Sequence, residues 1–335
     1  MSATVRVTTV ALRNVLDSLK PLFPKGSNTI PVHFSYSDDM LTITAGTDSM
    51  VQGKCVAESD SAVADFTAIY CDITDFLPGN GYVDLIFSEI FIEIKSNVSS
   101  VTFPQAYSTV QKFPDDIPET MELNTDSVCD GLKKLLSLGL SNIYKKEKSI
   151  VISKDRAMLL YPNVYVMTRL VGMPVSAILA PEHSKFIVNF RPDAIAKYGS
   201  NMLVFIRNNA SLLVPFKEVT EHVSFSNILN NPANPVHIDI DGYLNDLRVV
   251  SKLPCKRVTV SIFEDGISTS AVADNISIRL PLGDGSKFRR SMELPMQLWL
   301  TCFKALNGGD AEILYQGDIL CIRNRTISML IHALS

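Results

Sequence analysis

Three polar residues alternate along the segment His237-Ile-Asp239-Ile-Asp241, and their side chains are of the types that bind metal ions. Alternate residues of a strand point to the same side, so a strand here would bring the three side chains together. The segment also has a second interpretation, in which it runs into a helix and Asp241 caps the helix N-terminus. We expect the capping role and no metal site.

No other pattern in the sequence predicts catalysis. The run Gly283-Asp-Gly-Ser-Lys287 is rich in glycine but lacks the G-x-x-x-x-G-K-[ST] spacing of a nucleotide-binding loop. No H-E-x-x-H, G-x-S-x-G or C-x-x-C motif occurs. We therefore expect a protein that is not an enzyme and that uses no cofactor.

Cysteine usage and hydropathy indicate the compartment. The six cysteines are far apart in the sequence, which is typical of free thiols in a reducing environment. The chain starts without a secretory signal and has no run of about 18 apolar residues that could cross a membrane. We therefore expect a cytoplasmic protein.

Basic side chains recur on the polar faces of predicted helices, although the net charge of the whole chain is −4. A local basic face of this kind predicts contacts with nucleic-acid phosphates that do not depend on base sequence. A competing explanation is that basic residues near helix ends offset the helix dipole. The candidate phosphate contacts are Arg13, Lys20, Lys25, Lys133, Lys134, Arg191, Lys197, Arg248, Lys252 and Lys304.

These helices belong to a pattern that occurs three times. An alternating apolar and polar run enters an amphipathic helix at Val5, at Met121 and at Ile238. The anchors Val7, Leu123 and Ile240 lie 116 and 117 positions apart. A period of this size is that of a small domain. The sequence therefore predicts three tandem domains, at residues 1–117, 118–234 and 235–335.

Each predicted domain continues in the same way after its first helix. Two alternating strands joined by a polar turn come first, and a third strand follows. A short second helix is expected near 72–77, 192–198 and 295–306, and a strand meander closes each copy. Antiparallel sheets with two helices per copy make an α+β fold.

The repeated starts at Val5, Met121 and Ile238, with the stretch from Val101-Thr-Phe-Pro to Lys112-Phe-Pro-Asp-Asp-Ile-Pro118, resemble the bacterial DNA polymerase III β subunit family of sliding clamps, including phage-encoded members. The resemblance covers essentially the whole chain. It implies a ring of six similar domains, made by a head-to-tail homodimer. It also implies duplex DNA, a DNA polymerase and a clamp loader as partners, and a role as processivity factor.

The resemblance further implies a pocket for partner peptides between the second and third domains. Two departures concern its specificity. The family's T-D-G-x-R-L stretch is replaced by Pro162-Asn-Val-Tyr-Val-Met167, and its M-P-M ending by Leu330-Ile-His-Ala-Leu334. Alternatively, Leu330 and Leu334 simply complete the last strand. The residues that match the pocket are Pro162, Val164, Tyr165, Met167, Phe225, Leu330, Ile331, His332 and Leu334.

Two other functions stay open on the sequence alone. One is a monomeric DNA-binding polymerase accessory subunit, which holds DNA by charge without encircling it. The other is a structural protein of repeated α+β domains with no role on DNA.

Overall fold

The computed structural model describes residues 3–23, 29–107, 110, 112–138, 149–161, 163–219, 235–252, 256–264, 266–273, 276–279, 287–316 and 319–332. Lys25, Pro162, Phe225 and Leu334 lie outside these ranges, so the predictions made for them stay predictions. The chain folds as two compact units. The first unit contains residues 1–129 and 182–218, and the second contains 130–181 and 219–335. The predicted domain boundaries, after residues 117 and 234, remain predictions.

Five α-helices occur in the described ranges, and none of them is long and apolar enough to span a membrane. Two short 3-10 helices, Lys20–Leu22 and Thr74–Phe76, complete the helical segments described. The α-helices are α1 (Thr9–Leu19), α2 (Thr125–Ser137), α3 (Pro181–Phe190), α4 (Ile240–Val250) and α5 (Met296–Leu306).

The first helices of the three copies, α1, α2 and α4, begin at equivalent polar caps. The Thr8 hydroxyl accepts a hydrogen bond from the Ala11 amide at 3.3 Å, and the Asn124 side chain accepts one from Ser127 at 3.0 Å. In α4 the cap is Asp239, whose carboxylate accepts from two backbone amides, those of residues 241 and 242. The prediction that Asp241 is the cap was wrong, because α4 begins at Ile240, two residues earlier than that role requires.

The first unit contains a twelve-stranded antiparallel sheet. Its strands are β1 (Ala3–Thr8), β2 (Thr29–Ser37), β3 (Met40–Gly46), β4 (Met50–Ser59), β5 (Ala64–Cys71), β6 (Tyr82–Phe87), β7 (Phe91–Lys95), β8 (Ser100–Pro104), β9 (Met121–Glu122), β14 (Ala194–Tyr198), β15 (Met202–Arg207) and β16 (Ala210–Pro215).

The second unit contains an eight-stranded and a four-stranded sheet. The larger sheet is built from β10 (Ser149–Ser153), β11 (Arg156–Tyr161), β12 (Val164–Arg169), β13 (Ala177–Leu179), β17 (Val236–Asp239), β22 (Asp310–Gln316), β23 (Ile319–Arg323) and β24 (Ile327–His332). The smaller sheet is built from β18 (Arg257–Phe263), β19 (Ile267–Ala273), β20 (Ile276–Arg279) and β21 (Phe288–Pro295).

The strand orders repeat three times along the chain. One four-stranded order appears as β5-β2-β3-β4, β13-β10-β11-β12 and β21-β18-β19-β20. A second appears as β8-β7-β6-β1, β16-β15-β14-β9 and β24-β23-β22-β17. The predicted α+β fold of three tandem antiparallel copies is therefore confirmed.

The second helices agree only in part with the predictions from sequence. Residues 295–306 match α5, and residues 72–77 contain a single 3-10 turn. The helix predicted at 192–198 was wrong, since Ala194–Tyr198 is strand β14 and the helix lies before it, as α3. Arg191 has φ of 52°, which ends α3, and Pro192 follows that end instead of opening a new helix.

The first helix packs its apolar stripe against the sheet of the first unit. Leu12, Leu16 and Leu19 of α1 are each at most 1% exposed, and α1 contacts β4. Gly53 of β4 permits this approach, because a Cβ there would lie 2.6 Å from Val15 Cγ1. The polar side of the helix is left for other contacts.

Candidate functional site

Arg13 in α1 and Lys20 just after it were both predicted to contact phosphates. In the structure, each of them already has polar partners within the first unit. The Arg13 guanidinium donates to the carbonyl oxygens of Leu77 and Pro78 at 2.7 and 3.2 Å. The Lys20 ammonium lies 2.7 Å from Asp17 and 3.5 Å from Asp72, and the hydrogen bond to Asp17 is the main reason that the pKa of Lys20 is raised. Both cations therefore have internal partners that a phosphate would have to displace.

Arg191 and Lys197 are engaged in the same unit. Arg191 donates to Asp126 at 2.6 Å. Lys197 pairs with Glu218 and lies 5.7 Å from the ring centroid of Phe216. Lys197 is on strand β14, so it was wrong to place it on a second helix.

The predicted contacts in the second unit have a different environment. Lys133 and Lys134 on α2, Arg248 on α4, Lys252 just after it and Lys304 on α5 are all exposed. Arg248 donates to the Asn245 side chain at 3.2 Å. Among the residues that the structure describes, none of these five cations forms an ion pair. Their charges therefore remain available to an anionic ligand.

The residues of the metal-like pattern have structural roles. Asp239 caps α4, and Asp241 Oδ2 accepts a hydrogen bond from the Gly309 amide at 3.3 Å. His237 is exposed on β17. Within the described ranges, no group of three or more His, Cys, Asp or Glu side chains is arranged to hold a metal ion.

The predicted peptide pocket lies where β12 pairs with β24 in the second unit. Tyr165 is directly opposite Leu330, and Val164 is opposite Ile331. The Tyr165 and His332 rings meet edge to face with centroids 5.7 Å apart. The His332 amide also donates to the carbonyl of Asn163 at 2.9 Å, which fixes the end of the last strand.

Strand alternation divides the predicted pocket residues between two faces of this sheet. Val164 and Ile331 are fully buried on one face. Tyr165, Met167, Leu330 and His332 lie on the opposite face, of which Tyr165, Met167 and His332 are half-buried. Of these residues, Tyr165, Met167 and His332 have side chains that reach the surface, so the structure separates residues that the sequence pattern grouped together.

An apolar row on this face extends beyond the predicted residues. Leu330 pairs with Cys321, and Cys321 pairs with Leu314, so the row runs Tyr165–Leu330–Cys321–Leu314 across four strands. We call these four residues the second row. Burial raises the pKa of Cys321 to about 12, so its thiol stays protonated. The alternation of β22 and β23 was visible in the sequence, but the pairing of β24 with β12, which joins these strands to Tyr165, was not.

The same row occurs in the first unit, one repeat earlier. Met50 pairs with Leu213, Leu213 with Val204, and Val204 with Ala196; we call these four residues the first row. Phe113 is 3% exposed and packs on the first row together with Ile117. Here the chain itself supplies an aromatic and an aliphatic side chain to an apolar row on a sheet face.

Comparison with protein-family models finds no match, and neither does comparison with curated protein sequences. Solved structures do match over the full chain. The DNA polymerase sliding clamp from Caulobacter crescentus has a TM-score of 0.76 at 12% identity, covering 99% of each chain. The DNA polymerase III β subunit of Thermotoga maritima has a TM-score of 0.73 at 12% identity, again covering 99% of each chain.

A third match concerns a complex. The Helicobacter pylori β clamp bound to a DNA ligase peptide has a TM-score of 0.69 at 14% identity and covers 99% of this chain and 100% of that one. The chain therefore has the fold of the bacterial β sliding clamps.

Proposed function

We propose that this protein is a DNA sliding clamp, a non-enzymatic processivity factor that encircles duplex DNA as a head-to-tail homodimer and tethers a replicative DNA polymerase. It acts in the cytoplasm of a bacterial or phage-infected cell, where a clamp loader opens the ring. Each protomer supplies three domains, at 1–117, 118–234 and 235–335. One observation supports the ring most directly, namely the pattern of paired and open sheet edges.

Two seams join consecutive copies of the repeat. At each seam the third strand of one copy pairs with the last strand of the next copy, as β4 does with β16 and β12 with β24. The third copy has its own third strand, β20, and the first copy has its own last strand, β8. Both end their sheets, with β20 beside β19 alone and β8 beside β7 alone among described strands.

Open strand edges favour pairing with a complementary edge. If β20 of one protomer pairs with β8 of another, a third seam of the same kind forms. Two such seams close a dimer, since the contact is heterologous and a two-fold rotation returns to the start. A monomeric accessory subunit would leave both edges exposed.

We infer the register of the third seam from that of the second. The second seam places Leu330 of the last strand opposite Tyr165, the second residue of β12. In the first copy the position equivalent to Leu330 is Thr102, which pairs with Glu93 as Leu330 pairs with Cys321. The second residue of β20 is Ser277. We therefore expect Thr102 of one protomer to face Ser277 of the other.

Cross-linking tests this register. Residues directly opposite in an antiparallel pair have Cβ atoms about 4.5–5.5 Å apart, and slight adjustment allows a disulfide. Thr102→Cys with Ser277→Cys should give a covalent species of twice 37.0 kDa under mild oxidation. The single variants Thr102→Cys and Ser277→Cys are the controls, and neither should cross-link. A monomer by sedimentation at micromolar concentration would contradict the ring and favour the accessory-subunit alternative.

The half-buried side chains of Tyr165, Met167 and His332, which lie on the face of the buried second row, are proposed to hold a peptide from the polymerase. The likeness to a clamp that binds a DNA ligase peptide supports this use of the face. The replacement of T-D-G-x-R-L by residues 162–167 changes what the pocket presents, so we expect selectivity for this protein's own polymerase. Lys133, Lys134, Arg248, Lys252 and Lys304 are proposed to contact the DNA phosphates.

A further inference from the structure

Residues 112–118 lie on the first row as an irregular segment, with neither helix nor strand among its described residues. Phe113 is 3% exposed within the cluster that contains the first row, and Ile117 packs half-buried against that cluster. In the described part of the chain, no backbone–backbone hydrogen bond joins this segment to the sheet. Apolar side chains therefore hold the segment in place, as they hold a docked peptide.

The charged residues of the segment do not anchor it to the sheet. Lys112, Asp115 and Asp116 are exposed, and the Lys112 ammonium lies 2.6 Å from Asp115 within the segment itself. The first row thus accepts an aromatic residue followed four positions later by an aliphatic one, with acidic residues between them. Pro114 fixes one φ angle, which lowers the entropy lost when such a peptide is ordered.

The first row is the counterpart of the second row, on whose face a peptide from another protein is proposed to dock. The two rows share their register, since Met50 faces Leu213 as Tyr165 faces Leu330. A sheet face of this geometry is expected to accept a peptide in both units. In the first unit the chain itself supplies the occupant.

We propose that the first row is a second peptide-docking site, which the chain keeps occupied with its own residues 112–118. A peptide with an aromatic residue followed four positions later by an aliphatic one enters this site by displacing that segment. Displacement exposes Phe113, and the burial of a Phe side chain corresponds to an equilibrium factor of roughly 10 to 100. The site therefore discriminates by about that factor against a peptide added from outside.

A synthetic peptide of residues 110–118, Val-Gln-Lys-Phe-Pro-Asp-Asp-Ile-Pro, tests the proposal in a titration followed by fluorescence anisotropy. The variant Phe113→Ser with Ile117→Ser frees the first row without changing it. This variant should bind the labelled peptide at one more site per protomer than the wild type does at the same concentration. At that site the wild type should bind roughly 10- to 100-fold more weakly. The control is the same peptide with both substitutions, which should not bind.

Photo-cross-linking to the wild type keeps the test decisive where the variant does not fold. The peptide with benzoylphenylalanine in place of its Phe, added in large excess, should attach at Met50 or within residues 196–213. Excess unlabelled peptide should suppress this attachment, and the doubly substituted peptide should not.

Two results would overturn the inference. One is a folded variant that gains no peptide site, which would make the segment a connector that packs only in its own chain. The other is attachment confined to residues 158–167 or 314–330, or no attachment at all. Neither result bears on the ring, which the cross-link between Thr102→Cys and Ser277→Cys tests separately.

Discussion

Tyr165 and Leu330 lie directly opposite each other on neighbouring antiparallel strands, although they are 165 positions apart in the chain. Met50 and Leu213 have the same relationship one repeat earlier. In the first row the pair lies under Phe113, while Tyr165 in the second row is half-buried. The repeat thus contains the same apolar row twice. The two rows differ in the exposure of their first residue, which is Met50 in the first row and Tyr165 in the second.

Replacing Tyr165 should separate partner docking from stability. Tyr165→Ala removes a half-buried ring, so we expect a modest loss of unfolding free energy and a large loss of polymerase processivity on a primed circular template. Met50→Ala is the matched control at the equivalent position. Met50 is 1% exposed, so its loss should cost about 2–5 kcal/mol and leave processivity unchanged where the protein is folded. Equal effects of both variants on processivity would argue against a docking role for the second row.

Removal of Asp239 tests the capping assignment against a metal site. Asp239→Ala leaves two backbone amides of α4 without their acceptor, and we expect a loss of about 0.5–2 kcal/mol in denaturant unfolding. Asp239→Asn keeps an acceptor and should restore most of that loss. The melting temperature of the wild type should not change when EDTA is added. A drop with EDTA would favour a metal site at 237–241.

Local signals in the sequence predicted most of the elements but not all of their ends. The repeated run of alternation into an amphipathic helix predicted α1, α2 and α4. Pro192 led to a wrong helix prediction, because proline after a helix end looks like proline at a helix start unless the φ of Arg191 is known. The caps Thr8, Asn124 and Asp239 lie 116 and 115 positions apart. The residue before each cap is therefore equivalent, so Val7 and Leu123 correspond to Ile238 and not to the predicted anchor Ile240.

Pairing over long distances was beyond the sequence. The sequence shows that Arg191 is basic, but its partner Asp126 lies 65 positions away and is brought near only by folding. The same holds for Arg13 and the carbonyl of Leu77. The sequence therefore predicted which side chains are basic, whereas only the fold distinguishes those that are already bound.

His183 should make stability depend on pH. Burial is the main cause that lowers the pKa of this imidazole below its ordinary value of 6.5, and its Nδ1 atom is buried without a partner in the described part of the chain. The unfolded chain then binds a proton at a higher pH than the folded protein does. Stability should be full above about 6.5 and fall as the pH drops from there towards the lowered pKa.

Denaturant unfolding between pH 7.5 and 5 measures this effect. His183→Gln, which does not titrate, should flatten the curve over that window, while His237→Gln is the control at an exposed position. An unchanged pH dependence in His183→Gln would show that other groups cause it.

Among the predicted phosphate contacts, the effect of substitution should follow whether the cation already has a partner. Lys133→Ala and Lys252→Ala remove exposed charges with no ion-pair partner among described residues. Each should weaken duplex binding and reduce the salt slope by about 0.9. Arg191→Ala breaks an ion pair with Asp126 whose side chains are 51% and 82% exposed. Such an exposed pair contributes little to stability, and its loss should change the slope less than Lys133→Ala does.

Asp126→Ala adds the converse measurement, because it frees Arg191 and should strengthen binding slightly at low salt. Fluorescence anisotropy across a salt series reports all four variants. If Arg191→Ala lowers the slope as much as Lys133→Ala, the internal partner does not limit the contact, and the first unit also holds DNA.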